Sequence, residues 1–74
     1  MSVSANNLDV LASLIRSRRK ALDLTQEDVG DLCGVQRQTI GRLEAADPTV
    51  ALGTAMAVAD TLGIKVTLGM GGTG

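Results

Sequence analysis

Gln36, Arg37 and Gln38 are consecutive, and Arg42 lies one helical turn beyond Gln38 on the same face. Each of these side chains is long and ends in planar hydrogen-bonding groups. An arginine can bond guanine O6 and N7 together, and a glutamine can bond adenine N6 and N7 together. Groups of this kind at the N-terminal half of a short helix suit the major groove of duplex DNA. A solvated helix face has the same polar composition. What favours the groove is the short turn, Gly34-Val35, immediately before them.

Other residues could support such a contact. Gln26 opens a helix, where unpaired backbone N–H groups and the helix dipole attract a phosphate. Arg18 and Lys20 could reach the flanking phosphates, or simply complement the dipole at their own helix end. Cys33 reads as a small buried hydrophobe rather than a redox centre. The run Gly69-Met70-Gly71-Gly72-Thr73-Gly74 is glycine-rich like a phosphate loop, but no lysine or helix follows it.

Many chemistries are excluded by what is missing. The 74 residues contain no His, Trp, Tyr or Phe and one Cys, which rules out zinc clusters, histidine acid–base catalysis and aromatic stacking on bases. No enzyme activity, cofactor or metal site is expected. No apolar run approaches the length of a membrane span, and no signal sequence is visible, so a cytoplasmic protein is expected.

The elements that must position these residues follow from spacing and caps. Leu8, Leu11, Ile15 and Leu22, with Ala12 and Leu14, predict a helix over 8–22, capped by Asn7 and closed at Asp23. Thr25 predicts the cap of a second helix, with Asp28 completing a capping box, apolar residues at Val29, Leu32 and Cys33, and Gly34 as the stop. A third helix is expected over 36–45 with Ile40 and Leu43 inward. Asp47-Pro48 breaks the chain. Thr49 is expected to cap a fourth helix over 50–62, with Leu52, Ala55, Met56, Ala59 and Leu62 on one face and Gly63 as the stop.

Beyond it, residues 64–68 alternate as a short strand with Ile64, Val66 and Leu68 on one side. No second strand is evident in the chain, so pairing with the same strand of another subunit is the natural solution. Residues 1–7 read as an N-terminal extension, 8–68 as the single domain, and 69–74 as a flexible tail. With 45% hydrophobic residues but no aromatic ring, the core is thin for so short a chain, which also favours self-association. Net charge is −1, yet six of the seven basic residues lie between positions 16 and 42.

Leu24-Thr25-Gln26-Glu27-Asp28-Val29-Gly30, Gly34-Val35, Thr39-Ile40 and Arg42-Leu43-Glu44 together resemble the helix-turn-helix of the Cro/C1 (XRE) family. The resemblance covers about residues 8–62. It implies an all-α, four-helix Cro/C1-like bundle that represses transcription as a homodimer on an inverted-repeat operator. It implies that Arg37, Gln38 and Arg42 read bases, that Gln36 and Thr39 are shared between bases and backbone, and that Arg19 pairs with Glu44 as a structural salt bridge. The stretch 48–64 with its following strand is similar to the HipB-like antitoxins, which repress their own genes, bind a HipA-like kinase toxin, and dimerise partly through that strand. An antitoxin or interaction module without DNA binding is the alternative. Two positions depart from the family pattern. Ala46 and Asp23 stand where glycine is common, so the third helix either runs on past Ala46 or ends there under strain.

Overall fold

The computed structural model describes residues 2–5 and 7–68. In chain order the elements are β1 (Ser2–Ala5), α1 (Leu8–Ala21), α2 (Gln26–Cys33), α3 (Arg37–Glu44), α4 (Leu52–Thr61) and β2 (Lys65–Leu68). Four helices surround one core containing Leu11, Ile15, Val29, Ile40, Leu43, Val58 and Leu62. The helical architecture expected from the apolar spacing is therefore present.

Local chemistry accounts for most of the boundaries. The Asn7 side chain accepts from the Val10 N–H at 2.9 Å and starts α1. Asp23 adopts φ 60° and lets the chain turn sharply into α2. There Thr25 and Asp28 form a reciprocal capping box, at 3.0 and 2.8 Å. The Thr25 N–H donated to the Asp28 carboxylate, with the Thr25 hydroxyl beside it, holds that carboxyl below its ordinary range. Gly34, at φ 72°, ends α2 with its N–H on the Gly30 carbonyl.

Gly30 decides how closely α2 meets the start of α3. A Cβ at this position would stand 2.7 Å from the Val35 backbone oxygen, closer than carbon and oxygen tolerate. The tight turn thus requires a residue without a side chain at position 30.

Several expectations are corrected. Leu32 is 63% exposed rather than part of the inward stripe, because α2 turns only Val29 and Gly30 fully inward. Cys33 is half-buried and packs against the core edge. Leu22 lies just past the last turn of α1 and is also exposed. Helix α4 begins at Leu52, not Val50, and Thr49 does not cap it. The Asp47 carboxylate takes both the N–H and the hydroxyl of Thr49, at 2.8 and 2.7 Å, and the Val50 N–H returns to the Asp47 carbonyl. This turn occupies the residues that a helix start would need. Leu52 is consequently exposed, and Val58 joins Ala55, Ala59 and Leu62 inside.

The strand at the end of the chain has a partner within it. β1 pairs with β2 in parallel, with Ser2 opposite Lys65 and Ala5 opposite Leu68. This corrects the expectation that the chain holds no second strand, and it makes residues 2–5 more than an extension. Ser2-Val3-Ser4-Ala5 does alternate polar and apolar, but four residues with a single β-branched side chain are too short a run to mark a strand, and it is position beside β2 that makes β1 one. Ile64, just before β2, is buried. The tail expected over 69–74 lies outside the described residues.

Of the two outcomes open for the end of α3, the structure has the strained one. The helix stops at Glu44 with Ala45 as its cap, and Ala46 adopts φ 59°. A side chain in this region costs about 1–2 kcal/mol. Replacing Ala46 by glycine removes the steric strain at some cost in chain entropy. Ala46→Gly is therefore expected to raise stability by about 1 kcal/mol, read as a higher urea midpoint with an unchanged slope.

Candidate nucleic-acid interface

Helix α3 is two-faced. Ile40 and Leu43 are fully buried, while Gln36, Arg37, Gln38 and Arg42 are exposed and Thr39 is half-buried. The alternation follows from helical geometry: Gln38 and Arg42 are one turn apart, on the side away from Ile40 and Leu43. Gln36 occupies the cap position with extended backbone and no side-chain capping bond, so its amide is not committed to the helix end. Helix α2 packs more extensively on α3 than any other helix does. The polar face therefore has a firm backing. Charge on this face is tempered at one end, where Asp47 lies near Arg42 and has its carboxyl lowered, chiefly by its bonds with Thr49 and to a lesser degree by that arginine.

Behind the face lies a charged network. Arg19 Nε donates to Glu44 Oε2 at 2.6 Å, and Arg19 Nη2 donates to Glu44 Oε1 at 3.0 Å. This two-point geometry matches the fork of a guanidinium to a carboxylate. Nη1 of the same arginine donates to the Leu24 carbonyl at 2.8 Å. The two side chains are 11% and 5% exposed. The bond to Glu44 raises the Arg19 pKa above its already high ordinary value. One residue thus joins α1, the turn before α2, and the end of α3.

The remaining candidates are placed less uniformly. Gln26 stands at the start of α2, where first-turn N–H groups have no partner inside the helix. Its side chain is half-buried and donates from Nε2 to Glu44 Oε1 at 3.3 Å. Lys20 is exposed on the last turn of α1. Arg18 is half-buried, and its Nε donates to the Leu62 carbonyl at 3.0 Å. It thereby satisfies the C-terminal end of α4, a role different from either one anticipated for it. Ile64 is buried and Val66 half-buried, whereas Leu68 is placed by its backbone register opposite Ala5.

Sequence reasoning missed two of these links, Arg18 to Leu62 and Gln26 to Glu44. Both join residues far apart in the chain. The one local hint was Gly41, a glycine inside a helix, which faces the Gln26 amide at van der Waals distance. Among the described residues no group of three or more His, Cys, Asp or Glu side chains is placed to hold a metal ion. None of the described helices is long and apolar enough to cross a membrane.

Comparison with known proteins agrees with this geometry. The helix-turn-helix family matches residues 15–68 of the chain. An uncharacterised HTH-type transcriptional regulator from Methanothermobacter thermautotrophicus is 43% identical over 53 residues, which is 72% of this chain and 77% of that protein.

Removing one partner of a nearly buried ion pair leaves the other without compensation. Glu44→Ala is expected to lower stability by about 3 kcal/mol, measured by denaturant unfolding. If the variant is as stable as the parent, the pair does not brace the fold.

Proposed function

The chain belongs to the Cro/C1-type helix-turn-helix family, and from that premise we propose that it is a sequence-specific transcriptional repressor, acting as a homodimer on an inverted-repeat operator. One observation carries the reading: the exposed face of α3, with Gln36, Arg37, Gln38 and Arg42, is backed by α2 and by the buried Ile40 and Leu43. Arg37, Gln38 and Arg42 read base edges, and Gln36 and Thr39 contribute to bases and backbone. The start of α2 at Gln26 and the end of α1 at Lys20 meet phosphates. A twofold dimer presents its two α3 helices about 34 Å apart, one turn of duplex.

Duplexes selected from a random pool are expected to share an inverted repeat, with binding that weakens steeply as salt rises. On the selected site, Arg37→Ala relaxes preference at one position, where discrimination falls by about 1–3 kcal/mol. Lys20→Ala weakens all duplexes alike and lowers the salt slope by about one. If both variants bind every duplex as the parent does, the docking face lies elsewhere.

The dimer contact is assigned to β2. Among the described residues β2 has β1 along one edge and no strand along the other, the edge on which a second copy would add. Thr67→Pro removes a ladder N–H from β2. It is expected to shift the protein from dimer to monomer in sedimentation while helical circular dichroism is kept. A variant that remains dimeric would remove β2 from the interface.

A second reading, partner binding as the antitoxin of a HipA-like kinase toxin, is favoured by the surface beside α2. A groove of about 440 Å3 is lined by Leu24, Asp28, Asp31 and Leu32, and Leu32 is 63% exposed. Apolar side chains lining a groove together with two aspartates suit a protein partner better than a phosphate backbone. The two readings are compatible, since the groove is lined from α2 and its preceding turn and not from α3.

A further inference from the structure

Helix α2 carries no lysine or arginine, and its three acids are not equivalent. Glu27 and Asp28 stand in the first turn, where the helix dipole favours negative charge, and Asp28 is engaged in the capping box. Asp31 stands in the last turn, at the negative end of the dipole. It lies one turn from both Glu27 and Asp28, so like charges crowd it on one helix. Asp31 is exposed and makes no hydrogen bond or ion pair with a described residue. Nothing among the described residues compensates for its position.

Leu32 follows it and is 63% exposed. Asp28 is one turn earlier, and these three residues line the groove beside α2 together with Leu24. The lining thus combines uncovered apolar surface with two negative charges and no positive one. Its carboxylates repel a phosphate backbone. A metal ion or a polyamine answers the charge but leaves the leucines uncovered. A protein segment that carries basic side chains next to an apolar one meets both demands. Residues that break local electrostatic rules in this way mark a surface shaped for more than the isolated fold.

We infer that the groove is the docking site of a cationic protein segment, with Asp28 and Asp31 taking its arginine or lysine side chains and Leu24 and Leu32 its apolar anchor. This rests on the partner-binding reading above and names the chemistry of that partner's contact. Asp31 is the residue that tests it, because Asp28 also caps the helix whereas Asp31 has no other task.

Short random peptides displayed on phage are selected on the full chain. The enriched peptides are expected to carry arginine or lysine beside leucine, isoleucine or phenylalanine. One of them, synthesised with a fluorescent label, is then titrated with the parent, Asp31→Lys and Leu32→Ser. Affinity is expected to fall at least about tenfold in each variant, and parent binding to weaken as salt rises. Asp31→Lys removes the repulsion on α2, so its thermal melt is expected no lower than the parent's; it decides the matter alone if Leu32→Ser does not fold. Enriched peptides without positive charge overturn the inference. So do peptides that bind both folded variants as they bind the parent, which place the protein-binding surface elsewhere and leave the partner-binding reading standing. If no peptide is enriched, the inference falls and that reading loses its support with it. Self-association of the chain that Asp31→Lys abolishes assigns the groove to a second copy and also overturns the inference.

Discussion

The two-point bond between Arg19 and Glu44 is the interaction on which the arrangement of this small molecule turns. It spans α1 and the end of α3, and its third arm takes the Leu24 carbonyl from the turn before α2. Desolvating a guanidinium and a carboxylate is costly, and the cost is offset only when geometry and hydrogen bonding are both good. Here Glu44 accepts three hydrogen bonds and Arg19 donates three. No described buried side-chain nitrogen or oxygen is left without a partner. In a core of aliphatic side chains without rings, one directional contact of this kind distinguishes a single packing from several of similar hydrophobic energy.

The contact depends on the turn that precedes α2. Asp23 must adopt a left-handed conformation for the chain to reverse and bring the Leu24 carbonyl to Arg19. Gly30 and the Gly34-Val35 turn act similarly on the other side, letting α3 approach α2 at a distance that a Cβ at position 30 would prevent. The exposed face of α3 is thus held from behind by charge, from the side by a close backbone approach, and from below by Ile40 and Leu43. Its exposed side chains thus stand on an element braced from three directions.

Much of this could be read from residue types because the determinants are local. Asn7, Thr25 with Asp28, Gly34 and Gly63 act within one helical turn, and their identities announce their roles. Ile40 and Leu43 follow from period alone, as do the outward Arg37, Gln38 and Arg42. The Arg19–Glu44 pair came through family resemblance, since nothing in the spacing of two residues so far apart joins them. What could not be read was decided by competition or by distance. Thr49 is a good cap by type, but Asp47, two residues earlier, captures it first. Leu52 has the right period but sits in the first turn, ahead of the core. Arg18 and Gln26 find partners on other helices, and β1 exists only because β2 lies beside it.

That strand pair has a consequence for the order in which the molecule assembles. Residue 2 meets residue 65, so the sheet closes almost the whole chain into one loop. Closing a loop of that size carries an entropy penalty that no local contact repays beforehand. The α2–α3 hairpin, by contrast, joins neighbours across a three-residue connection, Gly34 to Gln36. The hairpin is the natural nucleus and the sheet the final latch. Thermal agitation would then undo the molecule from its sheet inward, releasing the seam between its two strands while α2 and α3 keep their shape.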